Sequence, residues 1–199
     1  MSGPRRHPAW LRHLPNVLSG GRALAVPVLA ALAIAGRETA FTWVLVPALL
    51  SDIVDGLIAR VFHLESRLGA MLDSVADTLL LFVSLYGIWV FHPYVILEHP
   101  WLCGAAVGLW ALEDVLALLR YGRLSSFHTY LSKVVANLLG FFIGWLFLFG
   151  FEPWLFYLAC GSSIVASLEE IALLAALPVW RADVKGLWWV LQEPGRRQD

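Results

Sequence analysis

DIVDGLIARVFHLESRLGAMLDSVAD, residues 52–77, sets four aspartates, Asp52, Asp55, Asp73 and Asp77, into two apolar stretches of membrane-spanning character. A carboxylate at the centre of a bilayer costs roughly 3 kcal/mol even on translocon-insertion scales. Four of them in so short a stretch therefore require a compensating cation and a task. Asp52 and Asp55 are three residues apart and Asp73 and Asp77 four apart, so each pair faces one side of its helix. The first of these helices is expected to end near Arg60 and the next to begin near Gly69, which makes an antiparallel hairpin around a short turn. Counted inward from those ends, Asp55 and Asp73 lie at about 6 to 8 Å and Asp52 and Asp77 at about 12 Å, at about 1.5 Å per residue. The spacing predicts one shallow cavity lined by four carboxylates.

The rest of the chain supplies the membrane. Of 199 residues, 59% are hydrophobic and only 15% charged, and the mean hydropathy is +0.72, well outside soluble-domain composition. Apolar runs near the roughly 20 residues that span a bilayer cover 17–36, 41–62, 70–91, 101–119, 130–149 and 154–177. The fold class is thus an all-α membrane protein, a single bundle of six transmembrane helices over residues 1–199. Long continuous apolar runs lack the alternation of barrel strands, and helices satisfy their own backbone groups in lipid. Breakers mark the connectors: Gly36 with Arg37 and Glu38, His92 with Pro93, Tyr121 with Gly122, and Glu152 with Pro153.

Basic residues orient the bundle. Arg5, Arg6 and Arg12 precede the first span, Arg60 and Arg67 flank the second turn, Arg120 and Arg123 the fourth, and Arg181, Lys185, Arg196 and Arg197 follow the sixth, whereas the other connectors hold only Arg37. The positive-inside rule makes the rich side cytoplasmic, so both termini and the carboxylate cavity face the cytoplasm, as in a bacterial inner or plasma membrane. The basic start is read as leading into a retained first span rather than a cleaved signal. A short amphipathic segment, 4–15, and a second one around Trp188 and Trp189 in the tail 178–199 are expected at the headgroup level. Cys103 and Cys160 are isolated and carry no metal-ligand spacing, and no disulfide is expected between them.

Oxygen ligands with no Cys or His beside them select a hard cation, Mg2+, Mn2+ or Ca2+. Gly56 and Gly69 leave room for a ligand to approach, and Arg60, one turn beyond Gly56, can meet a phosphate. Metal, arginine and glycine together indicate phosphoryl chemistry. The pattern DxxDGxxAR, eight residues, G, three residues, D, three residues, D resembles the signature of the CDP-alcohol phosphotransferase family, and Asp52, Asp55, Gly56, Ala59, Arg60, Gly69, Asp73 and Asp77 meet every specified position. Eight such coincidences arise by chance on the order of once in 10^9 starting positions or fewer, which excludes accident. Pro15, Asn16, Val17, Leu18 and Ser19 with Arg22 look like the family's start of the first helix.

That resemblance implies a phospholipid-synthesis enzyme moving a substituted phosphate from a CDP-linked donor, here CDP-diacylglycerol, to an alcohol with release of CMP. It implies two divalent cations, Mg2+ or Mn2+, on Asp52, Asp55, Asp73 and Asp77, with Asp77 as general base toward the acceptor hydroxyl. It places the cytidine nucleotide at Gly56, Ala59, Arg60 and Gly69, with Asn16, Ser19 and Arg22 as further candidates for the opposite wall. For the last two the plain alternatives are a helix cap at Ser19 and snorkelling of Arg22 to headgroups. The family also suggests a homodimer.

The resemblance also implies a small polar alcohol as acceptor. Lys133, Arg120 and Arg123 surround the fourth-to-fifth connector and suit a phosphorylated acceptor such as glycerol 3-phosphate; serine, inositol phosphate and choline or ethanolamine-type chemistry are alternatives within the class. The same cations can also be topology determinants near anionic lipid. Glu113, Asp114, Glu169 and Glu170 are expected in structural pairs, and Ser162 and Ser163 in interhelical bonds. A cation transporter is the rival from another class, but it predicts acids spread along the bilayer normal and repeated in two halves. Nothing in the composition suggests nucleic acid.

Overall fold

The computed structural model describes the backbone of residues 9–62, 67–122, 129–177, 184 and 186–192, and the side chains at 21, 22, 24–51, 75–122, 129–177, 184, 186–190 and 192. It is helical throughout the described secondary structure, and it divides into two compact units, residues 1–96 and 97–199.

In the first unit α1 (Ala9–Ile34) packs against both α2 (Glu38–Phe62) and α3 (Arg67–Phe91). The turn between α1 and α2 is short because Gly36 takes a left-handed φ of 65°. Its N–H donates to the Ala33 carbonyl and that of Arg37 to Leu32, the paired bonds that close a helix end at a left-handed residue. Leu29 and Ala33 of α1, Phe41, Leu45 and Ala48 of α2, and Ala76, Leu80, Val83 and Ile88 of α3 form the buried core. The start of α2 meets the end of α3: the Phe41 ring lies 5.4 Å from that of Phe91, and a Cβ at Gly87 would overlap the Phe41 ring. His92 Nε2 lies 3.3 Å from Glu38 Oε1 at the same end. The two helices are therefore antiparallel, as the spacing of the aspartates requires. A short helix, α4 (Pro93–Leu97), follows directly.

In the second unit α7 (Pro153–Ala176) packs against α5 (Pro100–Tyr121) and α6 (Tyr130–Phe149). Pro100 and Pro153 open their helices, where no backbone N–H is needed. Thr129 caps α6 by accepting from the Ser132 N–H at 3.1 Å. The C-terminal ends of α5 and α7 meet, because Tyr121 Oη donates to the Leu177 carbonyl at 2.6 Å, so these two helices run in parallel. Ala117, Leu173, Leu174 and Leu177 are buried there. At the other end Phe156 packs among His99, Phe142, Phe151 and Tyr157. Cys103 and Cys160 are both free thiols hydrogen-bonded to each other across α5 and α7. A last short helix, α8 (Leu187–Gln192), rests on α7 and leaves Trp188 and Trp189 exposed.

Among the described residues six helices reach 20 residues or more. Of these, α5, α6 and α7 are long and apolar enough to cross a membrane; the qualifying apolar stretches of the first unit, Leu24–Ile34, Glu38–Ser51 and Val75–Phe91, are shorter. The expected all-α class holds, and the expected breakers all fall at helix ends. Two boundaries differ. The helical backbone of α1 begins at Ala9 and continues through Pro15, so the separate amphipathic segment expected up to residue 15 is instead partly the first turns of α1. A proline costs a helix one backbone bond, which membrane-type helices tolerate, and α2 carries another at Pro47. The connector expected around Pro93 is itself helical as α4.

Candidate active site

The backbone sets the aspartates in register. Asp52 and Asp77 each stand ten residues in from the facing ends of α2 and α3, and Asp55 and Asp73 seven and six. Both helices extend a little further than expected from Arg60 and Gly69, by similar amounts, so the matched depths survive. The side chains of Asp52, Asp55, Gly56, Ala59, Arg60, Gly69 and Asp73 lie outside the described residues, as do those of Asn16 and Ser19 on α1 and all of Arg123.

Asp77 is described, and its environment is specific. Its Oδ1 accepts from Arg22 Nη1 at 2.6 Å, across 55 residues of chain, from α3 to α1. The Arg22 side chain is 1% exposed and that of Asp77 41%. A guanidinium taken out of water requires a nearby anion, and the contact is at the short end for a charge-assisted bond. The snorkelling alternative for Arg22 is therefore overturned: the side chain turns into the helix packing and onto Asp77. Sequence reasoning included Arg22 as a nucleotide candidate but missed this partner. The available signal was an arginine inside a spanning stretch, which calls for an acid at comparable depth on a neighbouring helix.

Of the residues expected around the acceptor, Arg120 and Lys133 are described, and they lie at the end of the second unit where α5 and α7 finish. Arg120 is exposed, donates through Nη2 to the Leu177 carbonyl at 3.2 Å and sits 5.6 Å from the Tyr121 ring centroid. Lys133, in the first turn of α6, is exposed, and its carbonyl accepts from Asn137 Nδ2. The acids of this unit act as ties. Glu169 accepts from Thr129 Oγ1 at 3.3 Å and from the Leu187 N–H at 3.0 Å, joining α7 to the starts of α6 and α8. Glu113 and Glu170 are buried, and Ser167 of α7 hydrogen-bonds Glu113 of α5. Ser162, expected to bond between helices, bonds the Ala159 carbonyl of its own helix instead.

Among the described residues no three His, Cys, Asp or Glu side chains stand close enough to hold a metal ion. The donor chemistry nonetheless fits hard cations, because the four aspartates carry only oxygen donors, Asp77 is half-exposed, and the helical register brings two donors from each helix to matched depth.

An apolar helical fold with an acid motif shared by an antiparallel pair defines a class of membrane protein, and comparison with known sequences supplies the family. The profile of CDP-alcohol phosphatidyltransferases matches residues 12–165, and the chain belongs to this family. It is 45% identical over 76 residues to CDP-diacylglycerol--glycerol-3-phosphate 3-phosphatidyltransferase 2 of Arabidopsis thaliana, covering 36% of this chain and 32% of that one. It is 32% identical over 143 residues to the cardiolipin synthase (CMP-forming) of Oryza sativa subsp. japonica, covering 69% and 44%. It is 28% identical over 137 residues to CDP-diacylglycerol--glycerol-3-phosphate 3-phosphatidyltransferase of Cereibacter sphaeroides, covering 63% and 62%. The chain thus spans between about a third and just under two thirds of the length of these relatives. No solved structure gives a significant match.

Proposed function

We propose that the chain transfers a phosphatidyl group from CDP-diacylglycerol to the hydroxyl of glycerol 3-phosphate, releasing CMP. The observation that carries this reading is the intact eight-position motif inside the family-matched region, with its last aspartate half-exposed and anchored by a buried arginine. The names of the Arabidopsis and Cereibacter relatives support the choice of acceptor.

Asp52, Asp55, Asp73 and Asp77 would hold two divalent cations, Mg2+ or Mn2+, whose charge offsets that of the donor pyrophosphate and of departing CMP. Gly56, Ala59, Arg60 and Gly69 bind the cytidine nucleotide, with Asn16 and Ser19 on α1 as its further contacts. Asp77 takes the proton of the acceptor hydroxyl, since an alcohol is a weak nucleophile until that proton is removed. Lys133, Arg120 and Arg123 hold the acceptor phosphate. Arg120 keeps guanidinium donors beyond the one given to Leu177, so its structural bond leaves this role open. All six long helices cross the membrane, both termini and the site face the cytoplasm, and the chain works as a homodimer.

The test is release of labelled CMP from CDP-diacylglycerol by purified protein over a panel of acceptors, with and without Mg2+ or Mn2+. Turnover with glycerol 3-phosphate is expected; the absence of Mg2+- or Mn2+-dependent turnover with every acceptor tried sinks the proposal. The rice relative supports a second reading, a lipid acceptor, because its name is that of a CMP-forming cardiolipin synthase and it matches 69% of this chain. Turnover with phosphatidylglycerol in place of glycerol 3-phosphate would select it.

A further inference from the structure

We propose that Arg22 is a positioning residue for Asp77, acting from behind the carboxylate, and that it does not touch the nucleotide. The inference rests on the reading of Asp77 as the group that receives the acceptor's proton. Its physical basis is the asymmetry of the pair. Two exposed partners would make a surface ion pair of small consequence, and two buried ones a structural tie. Here the cation is enclosed and the anion half-open: Arg22 is 1% exposed and Asp77 41%. A substrate approaching through the open side reaches the carboxylate, while the guanidinium lies beneath it in the packing of α1 against α3.

A half-exposed aspartate turns freely about two side-chain bonds unless something holds it. A guanidinium whose plane is fixed by the helix packing suits that better than a flexible ammonium, and here its Nη1 donates to one carboxylate oxygen, Oδ1. Because Arg22 is on α1, it also ties the orientation of an α3 carboxylate to the first helix, so that the base keeps its aim only while α1 and α3 are packed. Misplacement of a reacting group by about 1 Å can cost on the order of 100-fold in rate. This is the size of effect expected from losing the anchor.

The experiment uses the full chain and reads three quantities: kcat and KM in the metal-replete transfer assay, CMP affinity by calorimetry, and thermal stability in metal-free protein. Arg22→Met should lower kcat by about 100-fold while CMP affinity and the KM for CDP-diacylglycerol stay within about twofold. Arg22→Lys should recover part of the rate, because it returns the charge without the fixed planar geometry of the guanidinium. In EDTA-treated protein Arg22→Met and Asp77→Ala should shift the melting temperature non-additively, since each removes the same contact. If Arg22→Met does not fold, Arg22→Lys carries the kinetic test alone, with a smaller loss of kcat and unchanged CMP affinity expected. A fall in CMP affinity that matches the fall in kcat would make Arg22 a nucleotide contact and overturn the inference. Additive melting shifts would show that the pair does not form in solution and overturn it as well. Unchanged kcat in Arg22→Met beside an active wild type overturns this inference alone, whereas an inactive wild type overturns the transfer reading and this role with it.

Discussion

The two units put charge to opposite uses. In the second, polar groups close on helix ends: Glu169 takes up Thr129 and the Leu187 N–H, and Arg120 and Tyr121 donate to the Leu177 carbonyl. In the first, a buried arginine holds a carboxylate that stays half-open. The contrast follows from solvation. A helix terminus has unmet backbone groups that a side chain can satisfy at little cost, whereas a carboxylate kept accessible in mid-helix gives up that satisfaction and needs a dedicated counter-ion. The observed bonds of Glu169 and Arg120 tie helix ends together, whereas the Arg22–Asp77 pair leaves its carboxylate open on one side.

The sharpest way to break this comparison is Asp77→Asn. The amide keeps an oxygen that can accept from Arg22 but has no carboxylate to receive a proton. Transfer should fall by about 100-fold or more, with CMP binding largely retained. Loss of CMP affinity equal to the loss of rate would show instead that Asp77 mainly holds the nucleotide. Lys133→Ala tests whether the second unit also contributes to chemistry. Removing one charge-assisted bond to a phosphate should raise the KM for glycerol 3-phosphate about tenfold and leave that for CDP-diacylglycerol unchanged. If neither moves, Lys133 belongs with the architectural charges of its unit.

A smaller effect is expected from Gly87→Ala, which tests the packing that holds α2 against α3. The added methyl would enter the space of the Phe41 ring, which is fully buried and cannot swing away. Overpacking of this kind costs about 1 to 3 kcal/mol, read as a lower melting temperature in detergent. Phe41→Leu in the same chain should recover part of it. A Gly87→Ala chain as stable as the parent would mean that the contact between the two helices is looser than the structure has it.

Much of this was legible in the sequence because it is written in local chemistry. Gly36, His92 with Pro93, Gly122 and Glu152 with Pro153 interrupt helices for reasons carried by one or two residues, and each falls at an observed helix end. The matched depths of the aspartates needed only the rise per residue. The start of α1 was misplaced by eight residues because Pro15 reads as a boundary, although a helix can lose one backbone bond and continue. That Arg22 needs an acid on a neighbouring helix is legible, but which acid is not, since the pairing depends on how far α1 and α3 are rotated about their own axes, and no spacing within either helix specifies that. The same applies to Glu169, whose two partners come from the starts of two other helices.

The mildest prediction concerns the far end of the first unit, where His92 and Glu38 close α3 onto α2. Burial is the larger influence on His92 and pushes its pKa below the ordinary 6.5, while the Glu38 carboxylate pulls it partway back up. The imidazole is therefore neutral in the folded chain near neutral pH. As the pH falls below about 6.5 the unfolded chain takes up a proton that the folded one resists, so stability declines from there until the folded value is reached, whereas above about 6.5 it is unaffected by this group. The melting temperature should thus drop more between pH 7.5 and pH 5.5 in the parent than in His92→Gln. Glu38→Gln should enlarge the drop, because it removes the influence that favours the protonated ring. A smaller acid-induced drop in Glu38→Gln would show that the carboxylate, rather than burial, governs the histidine.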